Sequence, residues 1–158
     1  MPSRKNEHFF NLYHQGFIRA AVCIPEVKVA DTPFNAQKTI ELAMKATANK
    51  AIIAIFPELG LSAYSNEDLF HQDTLLQSVR QAIAEIKKAS EKMNLIIVAG
   101  APLQVGGRLF NCAVVFYSGK ILGVAVKSYL PNYREFHEAR QFTPASVAFD
   151  SEIELAGQ

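Results

Sequence analysis

An α/β fold, its sheet parallel early and mixed later, is predicted by three observations. Strand-like and helix-like segments alternate along the first hundred residues, two of the strand segments are continuous apolar runs, and the last clear element is a hairpin. Residues 17–24 read as the first strand, ended by Pro25. Asp31-Thr32-Pro33 is a helix start, with a capping side chain followed by proline in the first turn, and the helix runs to about Lys50 with Ile40, Ala43, Met44 and Thr47 on one face. Residues 51–56 form an unbroken apolar strand, expected to be covered on both faces and stopped by Pro57. Ser65-Asn66-Glu67-Asp68 resembles a capping box and favours a short turn over 66–70. Leu75, Leu76, Val79, Ile83, Ile86 and Ala89 recur at three- and four-residue steps, which predicts an amphipathic helix over about 74–93. Residues 95–101 are a further buried strand, Gly106-Gly107 reads as a turn, and segments 109–117 and 120–126 flank Ser118-Gly119 as a hairpin. Residues 127–142 are a polar-aromatic loop, and 143–158 show weak periodicity. Residues 1–16 form an arm whose Phe9, Phe10, Leu12 and Tyr13 are too apolar for a free tail.

The chain's 158 residues suit one domain. Sixteen Lys and Arg stand against fifteen Asp and Glu, a net charge of +1, which argues against a nucleic-acid partner. The longest apolar runs are strand-length, far short of a membrane span, and the polar N-terminus has no signal-peptide core. Cys23 and Cys112 lie far apart with no CxxC spacing, so neither a disulfide framework nor a zinc site is expected. The reading is a soluble, cytoplasmic protein of a reducing compartment.

In open α/β sheets, ligands bind beyond the carboxyl ends of the strands. Glu58 sits two residues after one strand and Lys127 directly after another. If those strands run parallel, the two side chains emerge on one edge, where a carboxylate and an ammonium tune each other's charge. A structural ion pair is the competing reading. Cys23 and Cys112 read as buried small hydrophobes rather than nucleophiles. The four histidines show no metal spacing, and the Glu135, His137 and Glu138 cluster lies in a loop with no closing ligand set, so no metal is expected. There is no Gly-rich dinucleotide fingerprint, no phosphate-binding P-loop and no Gly-x-Ser-x-Gly elbow.

Two segments go beyond pattern. Residues 56–69, Phe-Pro-Glu-Leu-Gly-Leu-Ser-Ala-Tyr-Ser-Asn-Glu-Asp-Leu, resemble the first catalytic motif of the nitrilase (carbon-nitrogen hydrolase) superfamily. Residues 127–142, Lys-Ser-Tyr-Leu-Pro-Asn-Tyr-Arg-Glu-Phe-His-Glu-Ala-Arg-Gln-Phe, resemble its second. Within that superfamily the wording, together with Phe-Asn-Leu-Tyr-His-Gln-Gly-Phe-Ile-Arg at 10–19, is most similar to the N-terminal glutaminase domains of glutamine-dependent NAD+ synthetases. The resemblance implies the N-terminal portion of a nitrilase-like four-layer αββα sandwich, with a mixed sheet and flanking helices, and an amide hydrolysis run by a Glu-Lys-Cys triad. It implies Glu58 as general base, Lys127 as second triad member, Glu138 as an acidic residue beside the lysine, Tyr133 as a glutamine contact and Tyr64 as a weaker one. The partners it implies are glutamine and, in a whole enzyme, deamido-NAD+, with ATP and Mg2+ belonging to a synthetase domain that these residues do not include.

The family's cysteine belongs to a third motif of the Glu-Ile-Cys-Glu-Asp kind, which is absent from these residues. Residues 1–158 are therefore expected to be an incomplete glutaminase domain, inactive alone, with a sheet face or edge left uncovered and a tendency to form homo-oligomers. Another amidase of the superfamily and a non-catalytic α/β binding domain are the alternatives.

Overall fold

The computed structural model describes residues 11–148 and 152–158. Five strands form one sheet in chain order: β1 (Ala20–Val22), β2 (Ile53–Ile55), β3 (Ile96–Val105), β4 (Arg108–Tyr117) and β5 (Lys120–Val126). The first three run parallel, and β4 and β5 are added antiparallel. Two reversals restore direction, so β5 runs the same way as β2, and the chain leaves both strands at one edge of the sheet.

The parallel pairings require long crossovers, supplied by helices α1 (Thr32–Ala48) and α2 (Asp73–Ser90). Asp31 caps α1 by accepting the Phe34 amide at 3.2 Å, with proline in the first turn, as the sequence predicts. Its buried face is instead Ala36, Thr39, Ala43 and Ala46, while Met44 is exposed. Small residues let α1 lie close against its neighbours, with Ile40 and Leu42 packed at the margin of that contact. In α2 the expected residues Leu75, Leu76, Val79, Ile83 and Ile86 are buried. A hydroxyl hydrogen bond between Thr32 and Ser78 joins the two helices.

Both tight hairpins have two-residue loops with left-handed backbone, Gly106-Gly107 (φ 57° and 74°) and Ser118-Gly119 (φ 48° and 76°). This is the turn whose twist matches the flanking strands. The Ser65–Asp68 capping box does not form: Asn66 precedes the 3-10 turn Glu67–His71 without capping it, and its amide bonds back to the carbonyls of Ser62 and Ala63. The first strand is also shorter than predicted. Leu12 and Tyr13 of the arm are exposed, with the Tyr13 hydroxyl on the Lys50 carbonyl, and Phe9 and Phe10 lie outside the described residues.

Side chains alternate across a strand, and here the two faces differ sharply. Ile97, Ala99, Ala101 and Leu103 of β3, with Phe110, Cys112, Val114 and Phe116 of β4, are buried together with the helices' apolar residues. On the other face the row Val22, Ile55, Val98, Val115 and Gly123 runs across all five strands in register. Val22 is 81% exposed and Ile55 43% exposed. The expectation that β2 is covered on both faces is therefore corrected. One helix layer and one sheet layer are present among the described residues, and no element packs on this row.

The open face is occupied near the strand ends by the corner after β2. A Cβ placed on Gly100 of β3 would stand 2.4 Å from the Leu59 nitrogen and 2.5 Å from the Pro57 oxygen, so the corner crosses β3 only because Gly100 has no side chain. Gly100→Ala is expected to lower stability by about 1–3 kcal/mol through this overpacking. Gly123→Ala, with open space around its Cβ, is expected to stay within about 0.5 kcal/mol of the parent. Urea unfolding of both variants checks the contrast.

Candidate active site

The corner is built from buried polar anchors and strained backbone. Leu59, Ala63 and Glu67 have left-handed φ values of 51°, 70° and 48°, each a cost to a residue with a side chain. Holding the corner are Gly60 N–H to the Pro57 carbonyl (3.1 Å), Leu61 N–H to the Gly100 carbonyl (3.1 Å) and the Asn35 amide to the Leu61 carbonyl (3.2 Å). The result carries Glu58 sideways from the end of β2 across β3.

Lys127 follows β5, its amide bonded to the Asn111 carbonyl at 2.9 Å. That pairing puts the Lys127 side chain on the open face, toward Glu58. The ammonium donates to Glu58 Oε1 at 2.6 Å and to both Glu138 carboxylate oxygens at 2.9 Å. An ammonium has three N–H donors, and these three oxygens match them. Glu138 begins the one-turn helix α3 (Glu138–Gln141) and is 5% exposed. Its position is set by Phe142, buried edge-on against Phe70 with ring centres 4.9 Å apart, and by Arg140–Asp68 (3.1 Å) and His71–Gln141 (2.7 Å) bonds to the 67–71 turn.

Burial alone would lower the Lys127 pKa, but the hydrogen bonds and charges of Glu138 and Glu58 outweigh it and hold the amine above the ordinary lysine value. The Tyr64 hydroxyl donates to Glu138 Oε1 at 2.8 Å. Burial and that carboxylate push its phenol up. Tyr64 thus stands as a partner of Glu138. Tyr133 is 64% exposed and packs edge-on against Phe136.

Two residues that sequence reasoning missed complete the geometry. Asn111 of β4, buried at 4% exposure, donates from Nδ2 to Glu58 Oε1 at 2.5 Å, and Gly100 admits the corner. A buried amide inside the apolar run Leu109–Val115 was the available signal for Asn111.

Cys112 is next to Asn111 and therefore faces the helix side of the sheet, where burial pushes its thiol up to about 12. Cys23 is buried on the same side as Ala21, and burial raises its thiol too. A cavity of about 600 Å3 bounded by Leu103, Phe110, Cys112, Val126 and Leu155 also lies on the helix side, apart from the charge cluster. No described cysteine faces Glu58 and Lys127.

A mixed α/β layer thus carries a carboxylate–ammonium–carboxylate cluster at its strand ends. The sequence profile of the carbon-nitrogen hydrolase family matches residues 19–153, and the chain belongs to that family. It is 44% identical over 136 residues to glutamine-dependent NAD(+) synthetase from Mycobacterium leprae, covering 86% of this chain and 20% of that protein. Among solved structures, glutamine-dependent NAD+ synthetase from Acinetobacter baumannii, in complex with ADP, superposes with a TM-score of 0.71 at 33% identity, covering 78% of this chain and 24% of that one. An amidase from Nesterenkonia sp. shares the fold at a TM-score of 0.71 and 19% identity, over 81% of this chain and 48% of that one. The chain thus spans about a fifth to a quarter of the length of its synthetase relatives.

A lysine held above its ordinary pKa stabilises the fold fully below the unfolded midpoint, near about pH 10, and that stability is lost as pH rises through the folded midpoint. Urea unfolding free energy is therefore expected to fall more steeply above about pH 10 in the parent chain than in Lys127→Met. Parallel alkaline profiles would contradict the assigned partners.

Proposed function

We propose that these residues carry the acid–base half of a glutaminase that supplies ammonia for ATP-dependent amidation of deamido-NAD+ to NAD+. The observation that supports it is the convergence of Glu58, Lys127 and Glu138 at hydrogen-bond distance on the open sheet face. The 44% identity to a glutamine-dependent synthetase points to glutamine over other amides.

In this reading Glu58 takes the proton of a thiol, and the sulfur attacks the glutamine side-chain carbonyl. Collapse of the tetrahedral adduct breaks the C–N bond, Glu58 returns the proton to the leaving nitrogen, and ammonia departs. Water, deprotonated by the same carboxylate, then hydrolyses the thioester to glutamate. Lys127 stabilises the oxyanion mainly through its charge, because its three donors already serve two carboxylates. Glu138, anchored by Tyr64, keeps the ammonium in place and protonated. Tyr133 is proposed as a contact for the glutamine.

The thiol belongs to a motif that these residues do not contain, so they form an incomplete domain that is inactive alone. ATP and Mg2+ belong to synthetase machinery to which no residue of this chain is assigned. The working location is the cytoplasm; no helix among the described residues is long and apolar enough to cross a membrane.

The chain alone is expected to release no ammonia from glutamine. In a chimaera where it replaces the matched segment of the Mycobacterium leprae synthetase, glutamine-dependent NAD+ formation is expected to persist. Glu58→Ala or Lys127→Ala there lowers the rate by roughly 10²–10⁴-fold, and added ammonia restores product. Variants that keep the full glutamine-dependent rate would overturn the roles. The open apolar face also predicts a homo-oligomer of the isolated chain; light scattering that finds only monomer at micromolar concentration would count against it.

A further inference from the structure

We propose that Asn111 is the positioning residue for Glu58, holding one carboxylate oxygen so that the other is left to exchange the proton. The proton-exchange part rests on the glutaminase reading; the positioning part does not.

Glu58 is only loosely confined by its surroundings. It is 43% exposed and stands on a corner rather than in a regular element. Two donors nevertheless converge on a single oxygen, Oε1: Asn111 Nδ2 at 2.5 Å and Lys127 Nζ at 2.6 Å. Among the described residues Oε2 accepts no hydrogen bond. A carboxylate with one oxygen doubly bonded and the other bare has a defined working atom. Lys127 does not fix it alone, because its ammonium is shared with both oxygens of Glu138.

Asn111 does, because it is itself fixed. It lies within β4, opposite Pro102 and buried, so its amide is placed by the sheet. Its carbonyl accepts the Lys127 amide at 2.9 Å. One residue therefore sets the Lys127 backbone and the Glu58 side chain at once. An amide in an otherwise apolar run costs about 1–3 kcal/mol unless it is paired, and its recorded side-chain partner is the carboxylate that the reaction needs.

The test uses the 158-residue chain and reads the Lys127 side-chain nitrogen by NMR as pH is raised. Glu58→Gln sets the benchmark, because it removes one of the two carboxylates that hold the proton on Lys127. Asn111→Leu, close to asparagine in shape but without a donor, is expected to lower the Lys127 midpoint by at least half of the Glu58→Gln effect. The double variant should fall no further than Glu58→Gln alone. Asn111→Ala, which adds no bulk, gives the same readout if leucine impairs folding. A Lys127 midpoint unchanged in a folded Asn111 variant, beside a clear fall in Glu58→Gln, would overturn the proposal. No glutamine-dependent turnover by the unaltered chimaera would sink the glutaminase reading and leave this result standing.

Discussion

The site depends on one ammonium held between two carboxylates. Lys127 reaches Glu58 and Glu138 from elements that are far apart in sequence, a corner after β2 and a one-turn helix after a long loop. Glu138 is almost fully buried, and a buried carboxylate without a cation is among the costlier defects a fold can carry. Taken together the three charges fix the 57–60 corner, the end of β5 and the 131–142 loop relative to one another.

Strand alternation decides what else can join them. Asn111 and Lys127 project to the face that the helices leave open, and Cys112, one residue along, must project to the opposite face. Cys112 therefore cannot meet the charge cluster without a register slip that would turn β4 over. The uncovered row from Val22 to Gly123 lies on the same face as the charges, so a layer packed there would also strengthen their interaction by excluding water.

Much of this was legible in the sequence where the signal was local. The Asp31-Thr32-Pro33 start of α1, the periodicity of α2 and the Ser118-Gly119 hairpin follow from capping, moment and turn chemistry, and the structure has all three. The placement of Glu58 and Lys127 at one sheet edge was legible only on the condition that their strands run the same way, which β2 and β5 do. What was not legible depends on lateral contacts between strands. That Ile55 is half-exposed while Ala54 is buried reflects that no described element packs on that face of the sheet, which an apolar run cannot report. The reach of Glu58 across β3 depends on Gly100, and the donor that meets it on Asn111; both are matters of register between strands far apart in the chain. Of the face read for α1, Ala43 is buried and Ile40 packs on the core, while Met44 is exposed and the small residues Ala36 and Ala46, which carry little hydrophobic signal, make the close contact.

The convergence of charges is tested most directly by a double-mutant cycle on unfolding free energy at neutral pH, using Lys127→Met, Glu138→Gln and the two together. The account predicts strong coupling, with each single change destabilising and an interaction energy of about 1–3 kcal/mol. Additivity of the two changes to within about 0.5 kcal/mol would mean that the ammonium and the buried carboxylate do not meet in solution, and the site as described would not exist.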